Sequence, residues 1–198
     1  MSTRRAWLRG SALSVWAALG ALAGPSAWAV AAEAIKVLRP PVKTLPPIAL
    51  LGMNGQAGKL DAELASEVPL LLNFVFTTCS SSCSVQTALL AQVQRTLATK
   101  GRPLQLASIT IDPDNDTPAQ LRKFAGHFGI TTGWQFYTGR FDDLLQVQRH
   151  FDVYRGSKSA HPPVLFLRKS TSAPWVRVEG FPAAAEVLAL IDSLPARA

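Results

Sequence analysis

Charged residues and long apolar runs are both scarce in this chain of 198 residues, and each scarcity excludes a class of protein. Only 17% of the residues are charged and 48% are hydrophobic, a balance that excludes disordered and fibrous proteins. One apolar stretch, near the N-terminus, approaches the roughly 20 residues that a bilayer span needs, which excludes a polytopic membrane protein. We find no internal repeat. The length predicts one domain, since single cores run to roughly 100–200 residues.

The body of the chain has no dense block of lysine and arginine. The net charge is +7, but Arg4, Arg5 and Arg9 precede the N-terminal apolar run, and no acidic residue occurs before Glu33. The excess of positive charge in the rest of the chain is therefore small. It favours a solvated surface and argues against nucleic acid as a partner.

The first 31 residues have the three parts of an export signal. A basic start is followed by an apolar run around residues 10–24 and by small-residue cleavage sites at Ala29 and Ala31. The stretch from Thr3 to Arg9 also resembles the twin-arginine consensus. We therefore predict a periplasmic protein whose residues 1–31 are a signal peptide, and an uncleaved membrane anchor is the alternative.

Beyond a proline-rich lead-in at residues 32–47, apolar strands alternate with amphipathic helices, which predicts a single α/β domain over residues 48–198. The predicted elements are, in order, a strand at 70–77, a helix at 85–99, a strand at 104–111, a helix at 117–128, a strand at 134–137, a helix at 141–151, a hairpin of 164–167 with 175–178, and a helix at 183–194. A terminal hairpin after strand–helix alternation predicts a mixed β-sheet flanked by helices.

Cys79 and Cys83 are the only cysteines, and they lie where the predicted strand ends and the next helix begins. A helix N-terminus stabilises thiolate, the form that binds a metal or attacks a disulfide, by lowering the thiol pKa. A purely structural disulfide is the weaker interpretation, because closing so short a loop gains only about 2 kcal/mol. If the two do bond, Cys79 must lie on an irregular turn, since a regular helix holds such Cβ atoms about 5–6 Å apart. We expect a redox or metal-binding role.

Two thiolates favour Cu(I) or zinc, and a third ligand would sharpen the choice between these metals. His127 and His150 lie within predicted helices, where we expect packing or surface roles. His161 lies in a loop, directly before two prolines and an apolar strand, so it could project toward the cysteines. The residues alone leave the role of His161 open.

Three aspartates, Asp112, Asp114 and Asp116, follow the second predicted strand at alternate positions. Their spacing lacks the later glycine and glutamate of a calcium loop. We therefore predict a turn followed by a helix cap at Thr117.

Three motifs follow one another in an order that matches a known family. Residues 77–83 read T-x-C-x-x-x-C after an apolar strand, residues 110–118 follow S-x-D-P-x-x-D-T-P with threonine for serine, and residues 137–139 stand where L-T-G is expected. His161 falls just before the strand where the family places its metal-binding histidine. Over about residues 48–195 the chain thus resembles the Sco/SenC family of copper chaperones, a branch of the thioredoxin-like fold.

The resemblance implies that Cys79, Cys83 and His161 bind copper, as Cu(I) or Cu(II), for insertion into the binuclear copper site of a cytochrome oxidase. The partner would be the copper-binding subunit of the oxidase, at the membrane, or another copper acceptor. The resemblance also allows a second function, thiol–disulfide exchange by the two cysteines on an exported partner. Peroxide reduction on the same fold is a weaker third reading, since no threonine and arginine partners of a peroxidatic cysteine are recognisable.

The chain departs from the family pattern at several positions around these motifs. Ser80 and Ser84 replace the prolines that usually follow each cysteine, and Ala160-His161-Pro162 replaces D-H-S. These changes bear on target, copper affinity and redox potential more than on the fold. Pro163 aligns with the cis-proline of thioredoxins, which would favour a redox role, and a trans-proline at the start of a strand fits equally well.

Overall fold

The computed structural model describes residues 35–40, 44–79, 82–130 and 132–195. The predicted signal peptide and its cleavage sites lie outside these ranges. No helix within them combines the length and the apolar character needed to cross a bilayer.

The described residues form one eight-stranded mixed sheet with helices on both faces. The strands are β1 (Lys36–Leu38), β2 (Ala49–Gly52), β3 (Ala57–Lys59), β4 (Leu70–Val75), β5 (Gln105–Thr110), β6 (Trp134–Thr138), β7 (Val164–Arg168) and β8 (Val176–Glu179). The helices are α1 (Leu60–Glu63), α2 (Ser82–Thr99), α3 (Pro118–His127), α4 (Phe141–His150) and α5 (Ala184–Ser193). The predicted mixed α/β sheet is confirmed.

The strand order is β1-β8-β7-β4-β5-β6-β2-β3, which puts β4 in the interior of the sheet. β4 runs parallel to β5, which is parallel to β6, and antiparallel to β7. Parallel strands end on the same side of a sheet, and an antiparallel neighbour begins there. The residues that follow β4 and β5 therefore lie at the same end of the sheet as the residues that precede β7.

The two faces of the sheet bury separate apolar clusters because side chains alternate along each strand. In β4, Leu71 and Val75 pack under α2, α3 and α5. Leu70, Leu72 and Phe74 face the other way, into the cluster beneath α1 and α4. Both faces of β4 are thus covered, which explains its continuous apolar run.

The irregular lead-in predicted for residues 32–47 is wrong at Lys36–Leu38, because these residues form β1. This edge strand pairs antiparallel with β8, with Lys36 opposite Glu179. No pattern in the sequence predicted β2, β3 or α1. These elements have only three or four residues each, too few to show a period, and their partners in the sheet determine their pairing.

Candidate functional site

The two cysteines lie beyond the carboxyl end of β4, where a turn at residues 77–78 leads to Cys79. The amide of Cys79 donates to the carbonyl of Phe76 at 3.1 Å, and the chain enters α2 at Ser82, so Cys83 lies in the first helical turn. The amide of Cys83, one of the donors that a helix start leaves unpaired, points to Sγ of Cys79 at 3.4 Å. Cys79 lies outside the helix, as the sequence analysis required for a bond between the two sulfurs.

Burial dominates the electrostatics of the pair. Cys79 is 8% exposed and Cys83 is 4% exposed, and both are thiols. Burial raises the pKa of Cys83 to about 12, which the backbone of Phe76 and the Ser82 side chain offset only in part, while negative charge at Cys79 adds to the rise. The lowered thiol pKa expected at a helix N-terminus is therefore wrong for Cys83.

A buried carboxylate holds the turn that leads to Cys79. Asp116 is fully buried, and it accepts hydrogen bonds from the Thr77 amide at 3.1 Å, from the Thr77 hydroxyl at 2.5 Å and from the Thr110 hydroxyl. The predicted cap is also present, since the hydroxyl of Thr117 accepts the Gln120 amide. The sequence analysis missed the role of Asp116. The three donors that Asp116 binds belong to Thr77 and Thr110, which lie in the T-x-C and S-x-D-P motifs.

A chain of buried hydrogen bonds links the start of α2, where Cys83 lies, to the sheet. The Asn73 amide group on β4 donates to the Gln86 side chain on α2 at 3.1 Å. The hydroxyl of Ser108 donates to Asn73 at 2.6 Å and accepts the indole N–H of Trp134 at 2.9 Å. Gln86 lies three residues after Cys83 in α2, so these contacts join the start of this helix to β4, β5 and β6.

His161 lies in the loop between a short 3₁₀ turn, Lys158–Ala160, and β7. Its ring packs edge-on against Phe74, with centroids 6.1 Å apart, and it lines a cavity of about 190 Å³ beside α4. Both ring nitrogens are buried with no partner in hydrogen-bonding geometry. Burial lowers the pKa of His161 to about 4, the nearby backbone of Val153 opposes the shift only in part, and the charge of Arg155 lowers it further.

The structure brings the two cysteines together and places His161 at the same end of the sheet. Asn73 of β4 pairs with Leu165 of β7, so the loop before β7 lies beside the loop after β4. Among the residues that the structure describes, however, no three His, Cys, Asp or Glu side chains are grouped closely enough to hold a metal ion. The two cysteines are therefore adjacent, and the imidazole of His161 lies apart from them.

The other two histidines have the surface and packing positions that the sequence predicts. His127 is exposed at the end of α3 and lines a cavity with Thr77 and Thr78. His150 is half-buried at the end of α4, with its ring 5.2 Å from that of Phe151.

The donor set suits a soft metal. Two thiolates and a neutral imidazole are ligands that Cu(I) and Cu(II) accept, whereas Mg²⁺ and Ca²⁺ prefer oxygen. The imidazole nitrogens also lack any competing hydrogen bond in their present position. The residues present therefore fit a copper ion, provided that His161 moves toward the sulfurs.

The family model described as SCO1/SenC matches residues 49–168, more than half of the chain. The SCO1 protein homolog of Bacillus subtilis (strain 168) is 36% identical over 70 residues, which span 35% of this chain and 36% of that protein. The crystal structure of yeast Sco1 with copper bound has a TM-score of 0.63 at 22% identity, covering 78% of this chain and 92% of that one.

BsSco, described as having a disulfide switch and as a member of the Sco family of cytochrome c oxidase assembly proteins, has a TM-score of 0.64 at 20% identity, covering 79% of this chain and 96% of that one. These two structures share the fold. Because the family model covers most of the domain and includes both cysteines and the histidine, the chain belongs to the SCO1/SenC family and has its thioredoxin-like fold.

Proposed function

We propose that this protein is an exported copper chaperone that holds one copper ion with Cys79, Cys83 and His161 and delivers it to the binuclear copper site of a cytochrome oxidase. The observation that carries the proposal is His161, a buried imidazole with two unpartnered nitrogens at the end of the sheet where the two thiols lie. Copper in yeast Sco1 and the assembly role stated for BsSco support it.

The protonation states favour the imidazole as a ligand. A histidine whose pKa is about 4 is neutral at pH 7, so no proton competes with the metal for its lone pair. Leaving a buried nitrogen without a partner costs about 1–3 kcal/mol, and coordination would remove that cost for one of them. His161 is therefore a side chain that gains from moving to a metal.

The thiols behave differently, because Cys83 must lose a proton to bind. Its pKa of about 12 means that copper binding at pH 7 releases this proton to solvent. The apparent copper affinity should therefore rise with pH through the neutral range. Soft thiolate donors still make the site selective for copper over magnesium or calcium.

The adjacency of the two cysteines, with His161 outside the group, favours a second candidate function. Such a pair can exchange electrons with the disulfide of an exported partner: the two thiols form one disulfide, and the partner disulfide becomes two thiols. This oxidoreductase function needs no imidazole ligand.

Copper titration of the reduced protein separates the two functions. His161→Ala should weaken Cu(I) binding by orders of magnitude and leave disulfide formation between the cysteines nearly intact. His127→Ala is the matched control, because His127 is exposed near the cysteine turn and should not affect the affinity. A His161→Ala protein that binds copper as tightly as the parent and keeps the reductase activity of the parent would replace the chaperone function with the oxidoreductase function.

Delivery is tested separately from binding. The copper-loaded protein is mixed with the soluble copper-binding domain of an oxidase subunit, and copper is measured in each protein after separation. Transfer to the acceptor supports delivery. Tight binding without transfer would refute delivery and leave the copper site in place.

A further inference from the structure

Lys158 connects the histidine loop to the segments that surround the cysteines. It begins the 3₁₀ turn three residues before His161, and its Nζ lies 2.5 Å from Oδ2 of Asp112. The same ammonium group lies 5.7 Å from the centroid of the Phe76 ring. Residues 154–160 are otherwise exposed, so these two contacts anchor a segment with little burial of its own.

Both contacts of Lys158 lead to the sulfur half of the site. Phe76 begins the turn after β4, and its carbonyl accepts the amide of Cys79. Asp112 is the second residue of the loop after β5, and four residues later Asp116 of that loop binds Thr77. The side chain of Lys158 therefore spans the gap between the loop of His161 and the turn of the cysteines.

The other side of His161 is anchored by the sheet. The carbonyl of Pro163 accepts the amide of Gly180 at 3.0 Å, which extends the pairing of β7 with β8. The amide of His161 itself donates to the carbonyl of Lys158 at 3.3 Å. Only residues 159–162 lie between the two anchors, so the backbone at His161 is confined while its ring nitrogens have no partner.

We propose that Lys158 is a positioning residue: its ion pair with Asp112 and its contact with Phe76 keep the backbone of His161 within reach of Cys79 and Cys83. The inference rests on the proposed copper function, and it identifies the group that makes the third ligand available. Without Lys158 the loop gains conformational freedom that copper binding must remove again.

The direction in which copper affinity changes when Lys158 is replaced distinguishes a positioning role from long-range charge repulsion. Lys158 is a cation near a site for a cation, so its removal should strengthen copper binding if only long-range electrostatics acted. If Lys158 positions His161, removal should weaken binding instead. Lys158→Met is the informative change, since it keeps an unbranched apolar chain over Phe76 and removes the ammonium group.

The experiment compares Cu(I) affinity, measured by competition with a chelator, in the full-length protein and its variants. Lys158→Met should lower the affinity about tenfold, and Lys158→Arg should restore it to within about threefold. Lys169→Met is the matched control, because Lys169 is an exposed lysine beyond the far end of β7. In a His161→Ala background, Lys158→Met should have no further effect, since it acts through His161.

Three results would overturn the proposal: unchanged affinity in Lys158→Met, tighter binding in that variant, or the same tenfold loss when His161 is already alanine. If the parent binds no copper, the proposed function is refuted, and a copper-free measurement still tests whether Lys158 holds the loop. Modification of His161 by diethyl pyrocarbonate should be several-fold faster in Lys158→Met than in the parent or in Lys169→Met. Equal rates would show that Lys158 does not hold this loop.

Discussion

The cysteine turn and the histidine loop lie at the same end of one sheet, yet they are held in different ways. The turn is fixed by a buried carboxylate with three donors and by the Asn73 hydrogen-bond chain beneath α2. The histidine loop is held by one backbone hydrogen bond at Pro163, by one half-exposed lysine and by the packing of an imidazole against Phe74.

For the proposed copper site, this contrast means one prebuilt half and one half that would form with the metal. The sulfurs need no rearrangement to be near each other, because the amide of Cys83 already points to Cys79. The imidazole is buried with unpartnered nitrogens, an arrangement that is costly and that a ligand can relieve. The proposed chaperone function requires release of the metal as well as binding, and a third ligand that joins only with the metal suits both steps.

The largest expected effect comes from removing the carboxylate beneath the cysteine turn. Asp116→Ala leaves the amide and hydroxyl of Thr77 and the hydroxyl of Thr110 without their acceptor. Since each buried unsatisfied group costs about 1–3 kcal/mol, we expect the free energy of unfolding to fall by about 3–5 kcal/mol. Urea denaturation measures it.

Asp114→Ala is the control for that change, because Asp114 is exposed in the same loop and its loss should cost less than about 0.5 kcal/mol. Equal losses in the two variants would contradict the view that the turn is held by a buried carboxylate. They would remove the contrast between the two halves of the site.

The same contrast explains which parts of the molecule could be predicted from the sequence. The alternation of strands and helices and the cap at Thr117 follow from local patterns, and the structure confirms them. The burial of Cys83 and the packing of His161 on Phe74 depend on elements distant in the chain, so a single sequence carries no local signal for them. The motif around Asp116 predicted a turn, but not that its carboxylate is the acceptor for Thr77.

A second prediction concerns the histidine half and the dependence of stability on pH. In the copper-free protein the pKa of His161 is about 4, whereas in the unfolded chain it is near 6.5. Between these values the unfolded state binds a proton that the folded state does not, so stability falls as the pH is lowered from 6.5 to 4. The gap between the two pKa values corresponds to about 3 kcal/mol.

Urea denaturation at pH 7 and pH 4 tests this for the parent and for His161→Leu. The parent should lose about 3 kcal/mol more than the variant over this range, since leucine has no proton to bind. His127→Leu is the matched control, because His127 is an exposed histidine outside the proposed site. If His161→Leu keeps the parental pH dependence, the imidazole is not buried in its neutral form.

The smallest expected effect separates the two halves most sharply. Thr77→Val removes one hydroxyl donor to Asp116 and keeps the shape of the side chain, while the amide of Thr77 and the hydroxyl of Thr110 still bind the carboxylate. We expect a loss of about 1–2 kcal/mol in unfolding free energy, less than for Asp116→Ala because the acceptor stays mostly satisfied. Thr78→Val is the control, since Thr78 is the exposed neighbour in the same turn.

The pKa of His161, followed by the pH titration of its ring protons, should not change in Thr77→Val, because the turn touches the histidine loop through Phe76 and Lys158 and not through Thr77. A shifted His161 titration in this variant would mean that the two halves are coupled through the Asp116 carboxylate, and the site would then have to be treated as one rigid unit.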